Sequence, residues 1–545
     1  MLPSAVTTAE PRVEAAGAER PRLLVLLAAA LLACAGYAAT ECYVLDGDVG
    51  FPLDDSWIHL QFARNLAAGD GLSYNPGEPV TGSTAPLWTA LLSFVFLLPG
   101  GTAAAVWGAK LLGCALYLAG VHATWRLARE LGLSRGLAQL ATALALATSW
   151  LVWSALSGME VPLFVLLSVW GMVLHLRERR RPERPPLAFG LFGLAALARP
   201  EGFLLVVLAA LDRLLVFHRD AGGALRWRRP DWRGLALGLG LAALAVLPVL
   251  VFYAAAGGSV LPTTFAAKGA EVRRWLPDAR YVYQVLGILF RPQPWAVLFA
   301  GAGVAALVER LGTARDRGLL PALWLLGLPL AYSTLSPAGA HWIAGNFGRY
   351  YFPLFPVVAV LGVLGIERAA AALGPRVAAG RFRLPLRAAL AALLLWPTAA
   401  TLVEGALFYA RNVANVQGSD VRVARWLAPR LPPEAVLAVN DIGALKFLLP
   451  NRVIDLAGIA TPEVRRRMNA AAARHEPWER AVSDYLVEQR PDYLVIFPDW
   501  FPYLSQDPRF KPVAGVRVED NITMGGDEVV VYTTPWTRHP LRAPS

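Results

Sequence analysis

The sequence predicts a mainly α-helical, polytopic membrane protein with a small C-terminal α/β domain. The 545 residues are 56% hydrophobic and only 17% charged, with a mean hydropathy of +0.45, which is typical of a chain that crosses a membrane repeatedly. Long apolar runs recur from residue 22 to about residue 408. Residues 409–545 are more polar, and their length fits one soluble domain.

The apolar runs predict about eleven transmembrane helices, because roughly 20 apolar residues cross a hydrocarbon core of about 30 Å. Two of the shorter runs, 187–198 and 203–218, are expected to be half-embedded or to meet at a broken point. The predicted spans are 23–45, 103–125, 137–155, 161–176, 187–198, 203–218, 234–256, 294–308, 319–335, 351–366 and 388–408.

The arginines predict the orientation, since cationic residues collect on cytoplasmic loops. Five loops with three to five arginines each fall on one side of the predicted membrane: 126–135, 177–186, 219–233, 310–317 and 367–387. Residues 1–22 are then a cytoplasmic segment of a membrane domain that covers 23–408. Loop 46–102 and domain 409–545 are external, provided that 86–98, too short for a simple crossing, is an interfacial or re-entrant helix.

External loop 257–293 breaks this charge rule, because it carries Lys268 and four arginines. Either the topology differs there, or these charges have a function. The net charge of +11 follows from the cytoplasmic arginines. Because these arginines lie between apolar runs, the sequence does not predict a nucleic-acid partner.

The C-terminal domain contains four β-like runs, at 435–441, 451–456, 492–499 and 527–534, with a helical stretch at 461–490. It has no dinucleotide fingerprint, phosphate-binding loop or catalytic-triad signature. The three cysteines form no CxxC pair, and the seven histidines show no metal-ligand spacing. The sequence therefore predicts no metal site, although a divalent cation at Asp54, Asp55 and Glu160 stays open.

Two adjacent acids, Asp54 and Asp55, open the stretch "DDSWIHLQFARNLAAGDG" in the first external loop. The spacing of Ile58, Phe62 and Leu66 predicts one apolar stripe on an interfacial helix. One aspartate as an N-cap would explain one acid. Two like charges at a membrane surface instead point to a general base whose neighbour sets its pKa, or holds a substrate hydroxyl or a cation.

Further charged residues are expected on the same side. Glu160 in "SALSGME" is either a second acidic group of the site, besides Asp54 and Asp55, or one exposed acid in a turn. Arg199 and Glu201 in "LARPEGF" form an ionisable pair at membrane depth, which is a functional candidate unless the pair only neutralises itself. Lys268, Arg349 and Tyr350 complete the set, although an interfacial Arg and Tyr are also ordinary membrane anchors.

These stretches resemble the GT-C superfamily of membrane glycosyltransferases. The likeness rests on "DDSWIHLQFARNLAAGDGLSYNPGEPVTGSTAPLW", followed in order by "SGME", "ARPEG", "LPTTFAAK", "GRYYFPLFP" and "DIGALKFLLPNRVIDLAGI". It is greatest to mycobacterial terminal arabinofuranosyltransferases and more distant to lipid A aminoarabinose transferases and protein O-mannosyltransferases. The resemblance covers most of residues 46–460.

The resemblance implies a polyprenyl-phosphate-linked sugar donor and a glycan, lipid or protein acceptor, outside the plasma (inner) membrane of a bacterium. It implies a general base from Asp54 and Asp55, with Asp54 favoured. Glu160 would be the second acidic group of the site, and Tyr350 and Glu201 would support the site. The implied donor phosphate-binding residues are Arg199, Lys268 and Arg349. A transporter or flippase of a lipid-linked sugar and an inactive membrane scaffold remain the alternatives.

Overall fold

The computed structural model describes residues 20–257, 279–335, 348–372 and 383–542. Helices make up most of the membrane part, in chain order α1 Arg20–Val44, α2 Asp54–Ala68, α3 Pro86–Ser93, α4 Thr102–Glu130, α5 Arg135–Leu146, α6 Ser149–Leu156, α7 Val161–Arg180, α8 Leu187–Ala198, α9 Gly202–Leu214, α10 Trp232–Gly257, α11 Ala279–Phe290, α12 Pro294–Glu309, α13 Leu320–Leu335, α14 Phe355–Ala372 and α15 Arg383–Val416. A short hairpin, β1 Phe217–Arg219 and β2 Leu225–Trp227, connects α9 to α10.

The chain is a multi-pass membrane protein. Among the described residues, six helices are long and apolar enough to cross a bilayer, or up to eight if each of two bent helix pairs is one span. The pair α5–α6 bends by 57° and the pair α11–α12 by 110°. Each of the eleven predicted runs coincides with a helix or a bent pair, and α8 and α9 do meet at a break, at residues 199–201.

Glycines let some of these helices approach closely. A Cβ added to Gly303 of α12 would lie 2.0 Å from the carbonyl oxygen of Leu361 in α14. A Cβ on Gly362 of α14 would lie 2.4 Å from the Cα of Ala296 in α12. Small residues at such contacts are the usual means of packing helices in lipid, where apolar burial against water does not drive their association.

The first external loop contains the expected helix. α2 buries Ile58 and Phe62 on the predicted stripe and ends at Gly69, which has a positive φ of 91°. Residues 86–97 form α3 and a 3₁₀ turn over Phe94–Leu97. This segment is too short for a simple crossing, as the sequence predicted.

The C-terminal part is a five-stranded sheet with helices. Its strands are β3 Leu437–Val439, β4 Val453–Asp455, β5 Tyr493–Ile496, β6 Lys511–Arg517 and β7 Glu528–Thr533, in the order β4-β3-β5-β7-β6. β3 pairs in parallel with β4 and β5, whereas β7 pairs antiparallel with β5 and β6. The helices are α16 Arg422–Leu427, α17 Gly443–Leu448, α18 Pro462–Ala473, α19 Trp478–Gln489 and α20 Pro502–Ser505.

All four predicted strands are present, and the helical stretch is divided into α18 and α19. The edge strand β6 was not predicted, because "KPVAGVR" combines a proline and a glycine and has an irregular register between Pro512 and Ala514. α15 runs past the expected domain boundary at residue 408 and continues as a π-helical turn over Gln417–Val421. The last membrane helix therefore continues into the C-terminal part without an intervening loop.

Candidate functional site

The side chain of Asp54 caps α17 and not α2, the helix that Asp54 begins. One carboxylate oxygen of Asp54 accepts the backbone N–H of Gly443 at 2.6 Å, and the other accepts that of Ala444 at 2.7 Å. These are the first N–H groups of α17, which a carboxylate stabilises. Leu53, the N-cap of α2, supplies no side-chain cap. A Cβ on Gly443 would lie 2.1 Å from the Asp54 carbonyl oxygen, so the approach needs glycine there.

The first external loop is tied to the C-terminal part by further hydrogen bonds. The Tyr74 hydroxyl donates to the carbonyl of Ile442 at 2.7 Å, and Arg64 donates to the carbonyl of Phe447 at 2.9 Å. The side-chain amide of Asn75 exchanges two bonds with the backbone of Val453, both at 3.0 Å. These bonds hold the first external loop against α17 and β4.

Asp55 points to a different partner, Arg349. An Nη2 atom of Arg349 lies 2.6 Å from Oδ2 of Asp55, whose side chain is 45% exposed while that of Arg349 is 5% exposed. The Nε and Nη1 atoms of Arg349 are buried and have no hydrogen-bond partner among the described residues. A buried guanidinium with unused donors is costly unless an anion binds there.

Arg199 lies at the break between α8 and α9 and is enclosed by acids. Its Nε and Nη2 donate to Glu201 at 3.0 and 2.7 Å, and its Nη1 donates to Glu160. His59 of α2 lies 3.3 Å from the second oxygen of Glu160, and the Tyr332 hydroxyl donates to Glu201. The self-neutralising pair weighed for Arg199 and Glu201 is thus observed, with Glu160 as a third member.

Tyr350 connects the two charged groups. Its ring centre lies 5.7 Å from the guanidinium carbon of Arg349 and 5.1 Å from that of Arg199, within the range of cation–π attraction. The structure therefore brings together seven candidates that are far apart in sequence, namely Asp54, Asp55, Glu160, Arg199, Glu201, Arg349 and Tyr350. Lys268 lies outside the described residues.

The surroundings shift two acids in opposite directions. Burial and the charge of Asp55 raise the pKa of Asp54 to about 6, although the N–H groups of Ala444 and Gly443 oppose the rise. Burial would also raise the pKa of Glu160, but the charges of Arg199 and His59 outweigh it and hold that pKa well below its usual range. The charges around Glu160 thus favour its ionised form.

Four residues near these groups were not predicted from the sequence. His59 and Tyr332 join the network around Arg199, whereas Asp420 and Asp441 approach Asp54 from the π-helical turn and from the loop before α17. The only signal for Asp441 was its place at the head of "DIGALKF" in the last stretch of the resemblance. Neither Asp420 nor Tyr332 stands in a pattern that singles it out.

Comparison with protein families and curated proteins gives partial matches. Residues 410–532 match a family model described as a domain of unknown function (DUF8728). The terminal β-(1→2)-arabinofuranosyltransferase of Corynebacterium glutamicum is 30% identical over 257 residues, 43% of this chain and 35% of that protein. Its namesake from Mycobacterium tuberculosis is 32% identical over 245 residues, 42% and 36% of the two chains. The match thus spans about a third of these relatives.

Solved structures match over almost the whole chain. ArnT from Cupriavidus metallidurans in the apo state has a TM-score of 0.58 at 17% identity, with 94% of this chain and 98% of that chain covered. The same protein bound to undecaprenyl phosphate has a TM-score of 0.57 at 16% identity, with 92% and 97% covered. The oligosaccharyltransferase of Archaeoglobus fulgidus gives 0.59 at 15% identity, with 87% and 69% covered. In its fold, the chain therefore resembles ArnT and this oligosaccharyltransferase.

Proposed function

We propose that the chain is a glycosyltransferase that moves a sugar from a polyprenyl-phosphate donor to a glycan, lipid or protein acceptor. The GT-C fold supports this proposal, as do the arabinofuranosyltransferases that match part of the chain. A protein of the same fold has been crystallised with undecaprenyl phosphate. We place the chain in a bacterial plasma membrane, with loop 46–102 and the C-terminal part on the external side.

The observation that carries the proposal is the pair of unused donors on Arg349. Nε and Nη1 lie on different sides of the guanidinium, and each can donate a charge-assisted hydrogen bond to an anionic oxygen. Each charge-assisted bond contributes roughly 1.5–3 kcal/mol. Because Nη2 already holds Asp55, one arginine would contact both the leaving phosphate and the acid beside it.

The geometry favours Asp55 over Asp54 as the general base. Both oxygens of Asp54 already accept backbone N–H groups, whereas the Asp55 side chain is 45% exposed and can meet an acceptor hydroxyl. Arg349 lies 2.6 Å from Asp55 and supplies its counter-charge. Asp54 would then position its neighbour, a different assignment from the one that the sequence favoured.

The proposed reaction balances without a further reactant. The acceptor oxygen forms a bond to the anomeric carbon while its proton passes to Asp55. The bond from the anomeric carbon to the phosphate oxygen breaks, and the electron pair leaves on polyprenyl phosphate, whose charge Arg349 stabilises. Glu160, Glu201 and Tyr350 would hold Arg199 and Arg349 in place, with Lys268 as a further phosphate contact.

A transfer assay with purified full-length protein in detergent tests the proposal, using a panel of synthetic polyprenyl-phosphate pentoses and hexoses. We expect Asp55→Asn to fold and bind donor but to lose transfer by about 10²–10⁴-fold, the usual worth of a general base. Arg349→Lys keeps the charge and loses the planar set of N–H donors, so its kcat/KM for the donor should fall at least about tenfold.

Asp70→Asn is the matched control, because Asp70 is an exposed acid of the same loop. Full transfer by Asp55→Asn would exclude Asp55 as the base. If no donor of the panel is consumed while the protein moves a labelled lipid-linked sugar across sealed vesicles, the chain is a transporter and the proposal fails.

A further inference from the structure

Three carboxylates from distant parts of the chain converge beside the candidate site. Asp54 begins α2, Asp420 lies in the π-helical turn after α15, and Asp441 precedes α17. One oxygen of each lies within 4.8 Å of the other two. Two oxygens that each lie about 2.4 Å from one ion are at most about 4.8 Å apart, and every pair of these oxygens meets that limit.

Asp420 gives an independent indication of a missing partner. The residue is 1% exposed, and neither of its carboxylate oxygens has a hydrogen-bond partner among the described residues. A buried carboxylate without a donor or counter-charge is strongly unfavourable. Asp420 also belongs to the turn Gln417–Val421, and π-helical turns inside helices frequently mark functional sites.

The neighbouring charges do not supply the counter-charge. Within the described part of the chain, none of the three acids forms an ion pair with a lysine or arginine. The charged groups that act on them, apart from one another, are the carboxylates of Asp55 and Asp455. Arg349 is paired with Asp55.

We propose that Asp54, Asp420 and Asp441 bind a divalent metal ion of the class that prefers oxygen ligands, such as Mg²⁺, Mn²⁺ or Ca²⁺. The three ligands offer only carboxylate oxygens, which select hard cations over zinc or copper. This set differs from Asp54, Asp55 and Glu160, the acids considered from the sequence, because Glu160 is held by Arg199 and His59. The ion cross-links the first external loop, the end of the last membrane helix and the C-terminal sheet.

Binding is measured on the full-length protein in detergent after treatment with EDTA, without any sugar donor. Titration with Mn²⁺, followed by the loss of the free Mn²⁺ signal in electron paramagnetic resonance, should show one ion per chain with a Kd below about 10⁻⁴ M. Saturating Mn²⁺ should raise the apparent Tm by about 3 °C or more. No saturable binding would overturn the proposal.

The variant Asp420→Asn identifies the site, since it keeps the shape of the side chain and removes the charge. We expect it to weaken Mn²⁺ binding at least about tenfold, while the control Asp70→Asn binds as wild type does. If Asp420→Asn does not fold, Asp441→Asn serves for the same comparison. Equal binding by wild type and the variant would overturn the proposal.

A second result would overturn it in another way. If Asp420→Asn raises the Tm in EDTA while no ion changes the Tm of wild type, the three acids share protons and hold no metal. None of these measurements depends on the proposed transfer reaction, so either proposal can fail while the other stands.

Discussion

The two arginines of the candidate site differ in how their charge is balanced. Arg199 faces two carboxylates and uses Nε, Nη1 and Nη2 on them, whereas Arg349 pairs with Asp55 and has two donors without a partner among the described residues. These contacts suit a structural role for Arg199 and the anion-binding role proposed for Arg349. The sequence suggested both as phosphate ligands and could not distinguish them, because the distinction lies in their neighbours.

This difference predicts opposite outcomes for the same substitution. Arg199→Gln leaves Glu160 and Glu201 buried without their counter-charge and should lower the stability by about 3–5 kcal/mol. Arg349→Gln removes the counter-charge of Asp55, but water can solvate this half-exposed acid. The variant should therefore mainly raise the KM for the donor. Thermal unfolding in detergent and donor kinetics measure the two effects. Equal losses of Tm in the two variants would contradict this reading.

Part of the site could be predicted at this scale. Asp54, Asp55, Arg199 and Arg349 stand in short polar stretches that interrupt apolar runs, where a charge is conspicuous. Asp420 does not, because it follows a helix in a polar setting where an aspartate is ordinary. Only the fold, which brings Asp420 close to Asp54, shows that Asp420 has no hydrogen-bond partner among the described residues.

At the scale of elements, the six-residue helix α17 is the junction between the two parts of the chain. Its first N–H groups bind Asp54, and its Lys446 is 2% exposed, with the ammonium donating to the carbonyl of Asn451 at 2.7 Å. The sequence predicted the strands on either side of α17 but not the helix. So short a helix carries little periodic signal, and Asp54 caps it from another segment.

Lys446 makes this junction sensitive to alkaline pH. Burial, aided by the charge of Arg64, lowers the pKa of Lys446 to about 8 from its ordinary value of 10.5. Below pH 8 the lysine is charged in both the folded and the unfolded states, and the folded state bears the full cost of about 3 kcal/mol. Stability should therefore rise between about pH 8 and pH 10.5, where only the unfolded chain keeps the proton.

The apparent Tm of wild type and of Lys446→Met, measured from pH 7 to pH 10, checks this expectation. The component that rises with pH should be absent from Lys446→Met. Lys511→Met, at an exposed position of β6, should behave as wild type does. If the Tm of Lys446→Met changed with pH as that of wild type does, burial of the Lys446 ammonium would not lower the stability of the folded protein.

At the scale of the whole molecule, the sequence predicted the positions of the helices better than the number of times that the chain crosses the membrane. Each predicted run is helical, but two pairs bend by 57° and 110° and several helices are short. Hydropathy records the apolar length of a segment and not its path, so a bend between two apolar helices leaves no trace in composition.

Orientation remains a prediction, and cysteine labelling tests it. In a background with Cys34, Cys42 and Cys114 replaced by alanine, we expect Glu519→Cys, at an exposed site before β7, to react with an impermeant maleimide from outside the cell. Arg184→Cys, in the loop between α7 and α8, should react only after the membrane is opened. The reverse pattern would invert the topology.

The hydrogen bonds between the first external loop and the C-terminal part can form only late in the synthesis of the chain. Asn75 needs Val453, Tyr74 needs Ile442, and Asp54 needs Gly443. During translation the loop leaves the ribosome more than 300 residues before these partners. A nascent chain in which every membrane helix is inserted therefore still lacks these contacts, because they form only when residues 442–453 have been made and folded.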